Sequence, residues 1–197
     1  MLLACGQRRV AVIEGQAGTG KSTTLTGIAR DHRDAGRQII VTSTAALAAQ
    51  RLARELAEAG VETNSYSTAA LQAAIRAGQV ALGPETTVIH DEAALACTGE
   101  QHQLFQAIQE SGARLIEVGD PRQNPAVGAG GLWPHLDTAT RQHGAVAELT
   151  RNQRARDPAD RRDQARFRSG EHEGAVRGYA AGERIHRRRA MAEDDVR

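Results

Sequence analysis

Apolar and polar positions follow a pattern typical of an α/β protein from residue 10 to residue 149. Short apolar, β-branched runs predict strands at residues 10–14, 38–42, 86–90 and 114–118, with a fifth candidate at 145–149. Apolar residues spaced three and four apart predict helices at 21–35, 45–59, 67–78 and 99–111. Strands and helices that alternate with short connections predict a parallel sheet covered by helices on both faces.

Turn and cap residues set the expected limits of these elements. Ser67 is placed to cap the third helix, and Gly36 and Gly60 follow the first two. Arg51 and Glu55 stand four apart on the second helix, which predicts an ion pair on its outer face. After residue 150 the chain becomes arginine-rich and helical with little apolar periodicity. We therefore expect an α/β domain at residues 1–150 and a helical extension at 151–197.

Composition narrows the class of protein. The 197 residues include 25 basic and 24 acidic side chains, a net charge of +1, but residues 151–197 alone carry 13 arginines and 9 acids. That basic excess indicates either a phosphate-bearing partner or a solvated helical face. Two cysteines are too few for a disulfide framework, so a cytoplasmic setting is expected. No apolar run approaches the roughly 18 residues of a membrane helix. Lys21 is the single lysine.

Residues 15–22, Gly-Gln-Ala-Gly-Thr-Gly-Lys-Ser, match the P-loop pattern G-x-x-x-x-G-K-[ST]. The glycines let several amides point inward, and together with the N-terminus of the next helix they form a cradle for phosphates. The lysine reaches the β- and γ-phosphates, and the following serine hydroxyl binds Mg²⁺. The candidate nucleotide-binding residues are Gly15, Gly18, Thr19, Gly20, Lys21, Ser22 and Thr23.

An Asp-Glu pair ends the third predicted strand. A P-loop ATPase needs a carboxylate at the end of a neighbouring strand to hold Mg²⁺, and a second group to orient the attacking water. Asp91 fits the first role and Glu92 the second. His90 precedes them, but the seven histidines show no metal-ligand spacing, so we interpret His90 as a structural residue at the strand end.

Three further segments leave alternatives open. Gln123, in Gly-Asp-Pro-Arg-Gln after the fourth strand, could place an amide near the γ-phosphate, although Gly-Asp-Pro is also an ordinary turn. The hydroxyls of residues 42–44 could bind phosphates or cap the next helix. Tyr66 could stack on a base or pack internally, and Trp133 is more typical of a core residue.

In order and spacing, these segments resemble the superfamily 1 DNA helicases, most closely the RecD-like branch and the helicase part of conjugative relaxases. The resemblance covers about residues 9–170 and rests on GQAGTGKS, VTSTAALAAQRL, VIHDEAAL, LIEVGDPRQNPAVGAGG and ELTRNQRARDP. It implies a RecA-like P-loop domain of the AAA type that uses ATP and Mg²⁺. It also implies single-stranded DNA as a partner.

The resemblance assigns roles to individual residues. It implies that Gln123 senses the γ-phosphate and that Arg154 matches an arginine which reaches that phosphate. Residues 42–46 would touch the DNA backbone, and residues 65–66 would form a further contact with the strand. Ala155 departs from the family, which usually has glutamine there.

The family also has parts that this chain does not show. Its helicases place ATP between two RecA-like domains, and no second set of strands follows residue 150. The glutamine that recognises adenine ahead of the first strand and the relaxase nuclease are missing as well. We therefore expect one motor domain from a larger protein or a truncated gene, with 151–197 as the start of a second motor domain.

The sequence thus predicts an ATP-binding motor domain that acts on single-stranded DNA. Two alternatives from other classes stay open: a non-catalytic module that binds partners according to the nucleotide, and a small P-loop kinase. Free phosphate as the product would indicate a motor, and a phosphorylated acceptor would indicate a kinase.

Overall fold

A computed structural model describes residues 9–120, 123, 131–142, 144–151, 153 and 157–181. The chain divides into two compact units, residues 1–151 and residues 152–197. The first unit contains a sheet and five helices among its described residues, and the second contains two helices. None of the helices in the described part of the chain is both long and apolar enough to span a bilayer.

Six strands form one sheet in the first unit, in the order β3-β2-β4-β5-β1-β6, and every pairing is parallel. Because all strands run the same way, their carboxyl ends meet at one edge, where ligands bind in open α/β sheets. The strands are β1 (Val10–Gly15), β2 (Gln38–Ser43), β3 (Asn64–Ser67), β4 (Thr86–Asp91), β5 (Arg114–Gly119) and β6 (Val146–Leu149).

Helices cover both faces of the sheet. Alternate residues of β2 show this arrangement: Ile39 and Val41 belong to a core cluster with α1 and α2, whereas Ile40 belongs to a cluster with α3 and α4. The fifth helix, α5, packs Trp133 against Val12 of β1. The helices of the first unit are α1 (Lys21–Asp34), α2 (Ala46–Glu58), α3 (Thr68–Arg76), α4 (Thr98–Ser111) and α5 (Trp133–Gln142).

The predicted α/β class and its RecA-like parallel sheet are confirmed, and two elements were missed. The predicted cap on α3 is present, because the Ser67 hydroxyl accepts a hydrogen bond from the Ala70 amide at 3.2 Å. Gly36 and Gly60 follow α1 and α2 with φ of +78° and +83°, a conformation that favours glycine. The missed elements are β3 and α5.

The second unit is described by itself as two helices, α6 (Pro158–Arg168) and α7 (His172–Ala181). Asp157 caps α6, because its carboxylate accepts a hydrogen bond from the Ala159 amide at 2.8 Å. The helices approach closely where Gly178 faces the buried carboxylate of Asp163, and a Cβ at Gly178 would overlap that group. The helical character predicted after residue 150 is present in this part.

Candidate functional site

The P-loop connects the end of β1 to the start of α1. Gly18 and Gly20 have φ of +82° and +87°, so both need the left-handed conformation that glycine adopts without strain. The Thr19 hydroxyl donates a hydrogen bond to the Gln16 carbonyl at 2.8 Å and closes the turn. A Cβ on Gly15 would lie 2.6 Å from the Thr19 hydroxyl oxygen, so the loop has no room for a side chain there. This compact turn has the geometry that the motif predicts for a phosphate cradle, and its binding of phosphate stays a prediction.

Lys21 extends back over the loop that precedes it. Its Nζ donates hydrogen bonds to the Gly15 carbonyl at 2.5 Å and to the Gln16 carbonyl at 3.3 Å. Gly20 begins α1 and no side chain caps this helix, while Ser22 and Thr23 are exposed in its first turn. An amine, a hydroxyl and a helix N-terminus thus lie together, which is the arrangement that binds a polyphosphate.

Asp91 is the last residue of β4, and its side chain is buried. Burial raises the pKa of Asp91, and the neighbouring charge of Glu92 raises it further. The hydrogen bond that Asp91 Oδ1 accepts from the Glu92 amide at 3.0 Å and the charges of Lys21 and Arg51 lower the same pKa. The P-loop follows β1 and Asp91 ends β4, and because these parallel strands are separated only by β5, both lie at the carboxyl edge of the sheet.

Glu92 leaves the strand in a backbone conformation that is uncommon for a residue with a side chain. Its φ is +55°, and a single 3-10 turn, Ala93–Leu95, follows it. Its side chain is 30% exposed, and Oε1 lies 4.0 Å from Nη2 of Arg51. The sequence assigned Arg51 to an exposed pair with Glu55, and its position beside the Asp91–Glu92 pair was missed. Helical periodicity places Arg51 on the outer face of α2 but does not indicate which loop that face meets.

A buried hydroxyl stands next to Asp91. Ser43 ends β2 and lies opposite Asp91 in the parallel register. Its hydroxyl oxygen is buried, with no hydrogen-bond partner in the described part of the chain. The exposed hydroxyl of Ser22 and the carboxylate of Asp91 are hard oxygen ligands of the kind that Mg²⁺ prefers. The residues present therefore fit a nucleotide-bound magnesium ion.

The remaining candidates for γ-phosphate contact are only partly described. Asp120 follows β5 and is buried, and its carbonyl accepts a hydrogen bond from the Gln123 amide at 3.1 Å. Gln123 itself is exposed. Arg154 lies outside the described residues, as do most of the residues around Gln123. The roles of Gln123 and Arg154 therefore stay predictions.

The segment expected to touch DNA is less accessible than the sequence suggested. Thr42 and Ser43 are fully buried, so neither side chain can reach a DNA backbone in this conformation. Residues 44–47 reach the surface, and Leu47 at the end of that segment is 80% exposed. The capping alternative for residues 42–44 is also wrong, because Ala45 begins α2 without any side-chain cap. The expectation is therefore wrong for the side chains of Thr42 and Ser43, and for residues 44–46 contact with DNA stays a prediction.

Internal packing accounts for the two aromatic candidates and for His90. Tyr66 is half-buried and packs against the core cluster between the sheet and α3, and Trp133 is 4% exposed. His90 is fully buried, with Nδ1 at 3.0 Å from Glu117 Oε2. Burial alone lowers the pKa of His90, but the charge and hydrogen bond of Glu117, with smaller contributions from Asp91 and Glu100, raise it overall. This position agrees with the structural interpretation of His90.

Comparisons with known proteins give relatives of several kinds. A sequence-family model described as an AAA domain matches residues 2–190. The conjugal transfer protein TraA of Rhizobium radiobacter is 28% identical over 188 residues, which cover 95% of this chain and 16% of that protein. TraA of Agrobacterium fabrum matches with the same identity and coverage. The helicase domain of Pyrococcus furiosus Hef is a similar solved structure, with a TM-score of 0.48 and 12% identity over 78% of this chain and 38% of that one.

The match to the family model has a direct consequence. The chain spans only 16% of the length of the two TraA proteins, so it corresponds to one segment of those relatives. The family model, by contrast, covers almost the whole chain and includes the P-loop, the Asp91–Glu92 pair and Gln123. The protein therefore belongs to the AAA domain family, in agreement with the AAA-type P-loop domain that its motifs indicated, and its TraA relatives agree with the conjugative branch of that resemblance.

Proposed function

We propose that the chain is the ATP-binding and ATP-hydrolysing motor domain of a DNA helicase that acts on single-stranded DNA. The observation that carries this proposal is the placement of the P-loop after β1 and of Asp91 at the end of β4, at the same carboxyl edge of the sheet. The TraA relatives support a conjugative setting, within a longer relaxase and helicase protein. A second RecA-like domain and a relaxase nuclease domain would be the partners supplied by that longer protein. A cytoplasmic location fits the free thiol of Cys97.

Each residue of the site has a definite part in this proposal. The amides of the P-loop and Lys21 bind the phosphates, while Ser22 and Asp91 hold Mg²⁺. Mg²⁺ held by these residues would supply positive charge that offsets the negative charge of the phosphates. Glu92 orients a water molecule in line with the leaving oxygen and accepts its proton, so that ADP and phosphate are the products. Gln123 and Arg154 would sense the γ-phosphate.

The DNA side of the proposal involves the neighbouring strands. The exposed segment at residues 44–47 begins directly after the buried end of β2, beside Asp91. Residues 65–66 of β3 are paired with β2 and would extend the same surface. A strand of DNA along this edge would lie within a few residues of the hydrolytic site. That proximity is what a DNA-stimulated ATPase requires.

Phosphate release from Mg·ATP, with and without single-stranded DNA, tests the proposal. We expect release that DNA stimulates in the wild type and that Lys21→Ala abolishes together with ATP binding. Glu92→Gln should bind ATP normally and fail to hydrolyse it, because it keeps the shape of the side chain and loses its basicity. Transfer of the phosphate to an added metabolite would identify a kinase instead. ATP binding without release in the wild type would contradict hydrolysis by this chain.

A further inference from the structure

A row of four buried polar side chains crosses the sheet directly below its carboxyl edge. The Thr42 hydroxyl donates to the Thr68 hydroxyl at 3.4 Å, and the Thr68 hydroxyl lies 3.3 Å from His90 Nε2. His90 Nδ1 lies 3.0 Å from Glu117 Oε2. All four residues have no exposed surface. We call Thr42, Thr68, His90 and Glu117 the polar row.

Three members of the polar row, Thr42, His90 and Glu117, stand near the carboxyl ends of their strands and precede the loops at that edge. Thr42 on β2 is followed by Ser43 and then by the exposed segment at 44–47. His90 on β4 precedes the Asp91–Glu92 pair, and Glu117 on β5 lies two residues before the end of its strand. Thr68 is the first residue of α3 and follows β3 directly. The row therefore connects the expected DNA side of the edge to the hydrolytic side.

Stability alone does not explain why charged groups occupy these positions. With Glu117 ionised, His90 Nδ1 must be the donor of their hydrogen bond, and Glu117 Oε1 has no hydrogen-bond partner within the described residues. Removing a carboxylate and an imidazole from water is costly, and a well-packed apolar pair is often at least as stabilising as a buried ion pair. Unlike contacts between apolar side chains, the hydrogen bonds of the polar row are directional. Each of them therefore restricts the angle and distance between the elements that it joins.

We propose that the polar row positions Asp91 and Glu92 for hydrolysis and relays the contact of DNA with the β2 edge to them. Thr42, Thr68, His90 and Glu117 are positioning residues, since none of them touches the nucleotide site itself. This inference rests on the proposed function as a DNA-stimulated ATPase. Thr42 and His90 are also register partners on β2 and β4, but among the described side chains only the Thr68 hydroxyl bonds both of them, so it is the point at which the side-chain relay can be cut.

Three variants separate positioning from simple stabilisation. Thr68→Val keeps the size of the side chain and removes the hydroxyl, while Thr68→Ser keeps the hydroxyl. Thr87→Val is the control: Thr87 is as buried as Thr68, and its hydroxyl bonds His32 Nδ1 at 2.8 Å, but it stands near the amino end of β4, away from Asp91. Thr68→Val removes two long hydrogen bonds, with Thr42 at 3.4 Å and with His90 at 3.3 Å, whereas Thr87→Val removes one shorter bond with His32, so both should lower the Tm by a similar amount.

Kinetics with and without single-stranded DNA then measure the effect on hydrolysis. We expect Thr68→Val to reduce the DNA-stimulated kcat by about fivefold, the change in rate that corresponds to the net contribution of a typical hydrogen bond. The KM for ATP should be unchanged. Thr68→Ser should restore the rate, and Thr87→Val should keep the wild-type kcat. Equal effects of Thr68→Val and Thr87→Val on kcat would overturn the proposal, because they would reflect general destabilisation.

Hydrogen exchange of the nucleotide-free protein keeps this inference distinguishable from the proposed function. If the row positions the site, amides of residues 91–96 should exchange faster in Thr68→Val than in Thr87→Val, whether or not the wild type hydrolyses ATP. An inactive wild type with that difference would leave the positioning role standing and remove the proposed ATPase. Identical exchange in the two variants would remove the positioning role.

Discussion

Asp91 occupies a position that costs the nucleotide-free protein stability. Burial raises the pKa of its carboxyl group, so the native state holds the proton more tightly than the unfolded chain does. At low pH the group is protonated in both states and contributes nothing. As the pH rises above the ordinary aspartate range, the unfolded chain ionises first, and the free energy of unfolding falls. A carboxylate kept ready for Mg²⁺ is therefore a destabilising group at neutral pH.

Asp91→Asn should stabilise the nucleotide-free protein. In EDTA at pH 8 we expect the Tm to rise by roughly 2 °C, because the amide keeps the hydrogen bond to the Glu92 amide without the buried charge. The gain should shrink to nothing at about pH 3, where both residues are neutral. Thermal unfolding followed by circular dichroism over this pH range measures it.

The exposed Asp34 gives the control for that experiment. Asp34 is more than half exposed and pairs with Arg33, so Asp34→Asn should bring no gain in Tm at pH 8. The same gain for Asp91→Asn at every pH would contradict a titration effect. Addition of Mg·ATP should stabilise the wild type and not Asp91→Asn, because the variant loses its magnesium ligand.

Among the elements, the contact between β5 and α5 depends on a single glycine. The indole ring of Trp133 lies over Gly119, where a Cβ would come within 2.7 Å of Cη2 and 2.9 Å of Cζ2. Ring carbons of a buried tryptophan cannot move aside as the end of a flexible side chain can. Gly119 is therefore required by the approach of α5 to the strand that leads into the Gln123 loop.

Gly119→Ala should lower the free energy of unfolding by about 1–3 kcal/mol, the usual cost of overpacking a core. Trp133 is the single tryptophan, so its fluorescence should report the displaced ring by a shift to longer wavelength. Adding Trp133→Phe should recover part of the loss, since the smaller ring leaves room for the new methyl group. If the loss in free energy of unfolding of the double variant equalled the sum of the losses of the two single variants, that additivity would argue against this contact.

The elements that the sequence predicted correctly have a clear pattern of apolar residues. β1, β2, β4 and β5 are strands of six residues, each with a short apolar run at its centre, and their positions were predicted to within one residue. β3 was missed because Asn64–Ser67 contains a single apolar side chain, and its pairing with β2 decides its conformation. α5 was missed because Trp133–Gln142 mixes polar residues and a proline at its second position with few apolar ones.

The candidate site shows the same division between local and tertiary information. The P-loop and the Asp91–Glu92 pair could be found because their chemistry depends on residues adjacent in the chain. The neighbourhood of Arg51, the buried hydroxyl of Ser43 and the pairing of His90 with Glu117 depend on which strands are neighbours. The strand order β3-β2-β4-β5-β1-β6 brings these residues together. The apolar and polar pattern of a single sequence does not specify that order.

At the scale of the whole molecule, the two units allow a test of where the nucleotide acts. The Glu92→Gln variant should retain ATP, so Mg·ATP at one hundred times its Kd should raise its free energy of unfolding by about 2.7 kcal/mol. Amide exchange in the first unit should slow accordingly. The effect should be greatest in the P-loop and at the ends of β4 and β5. Adding Lys21→Ala to this variant should abolish the protection. Equal exchange with and without nucleotide would contradict binding at the P-loop.

The position of the single lysine makes the P-loop a selective target for chemical labelling. Lys21 folds back onto the carbonyls of Gly15 and Gln16, and every other basic side chain that carries a permanent charge is an arginine. An amine-selective acylating reagent therefore finds only two kinds of target, the α-amino group of the chain and the P-loop itself. Mass spectrometry of the labelled protein would then give the fraction of molecules in which Lys21 has reacted. Binding of a nucleotide that shields Lys21 could be followed as a decrease in that fraction.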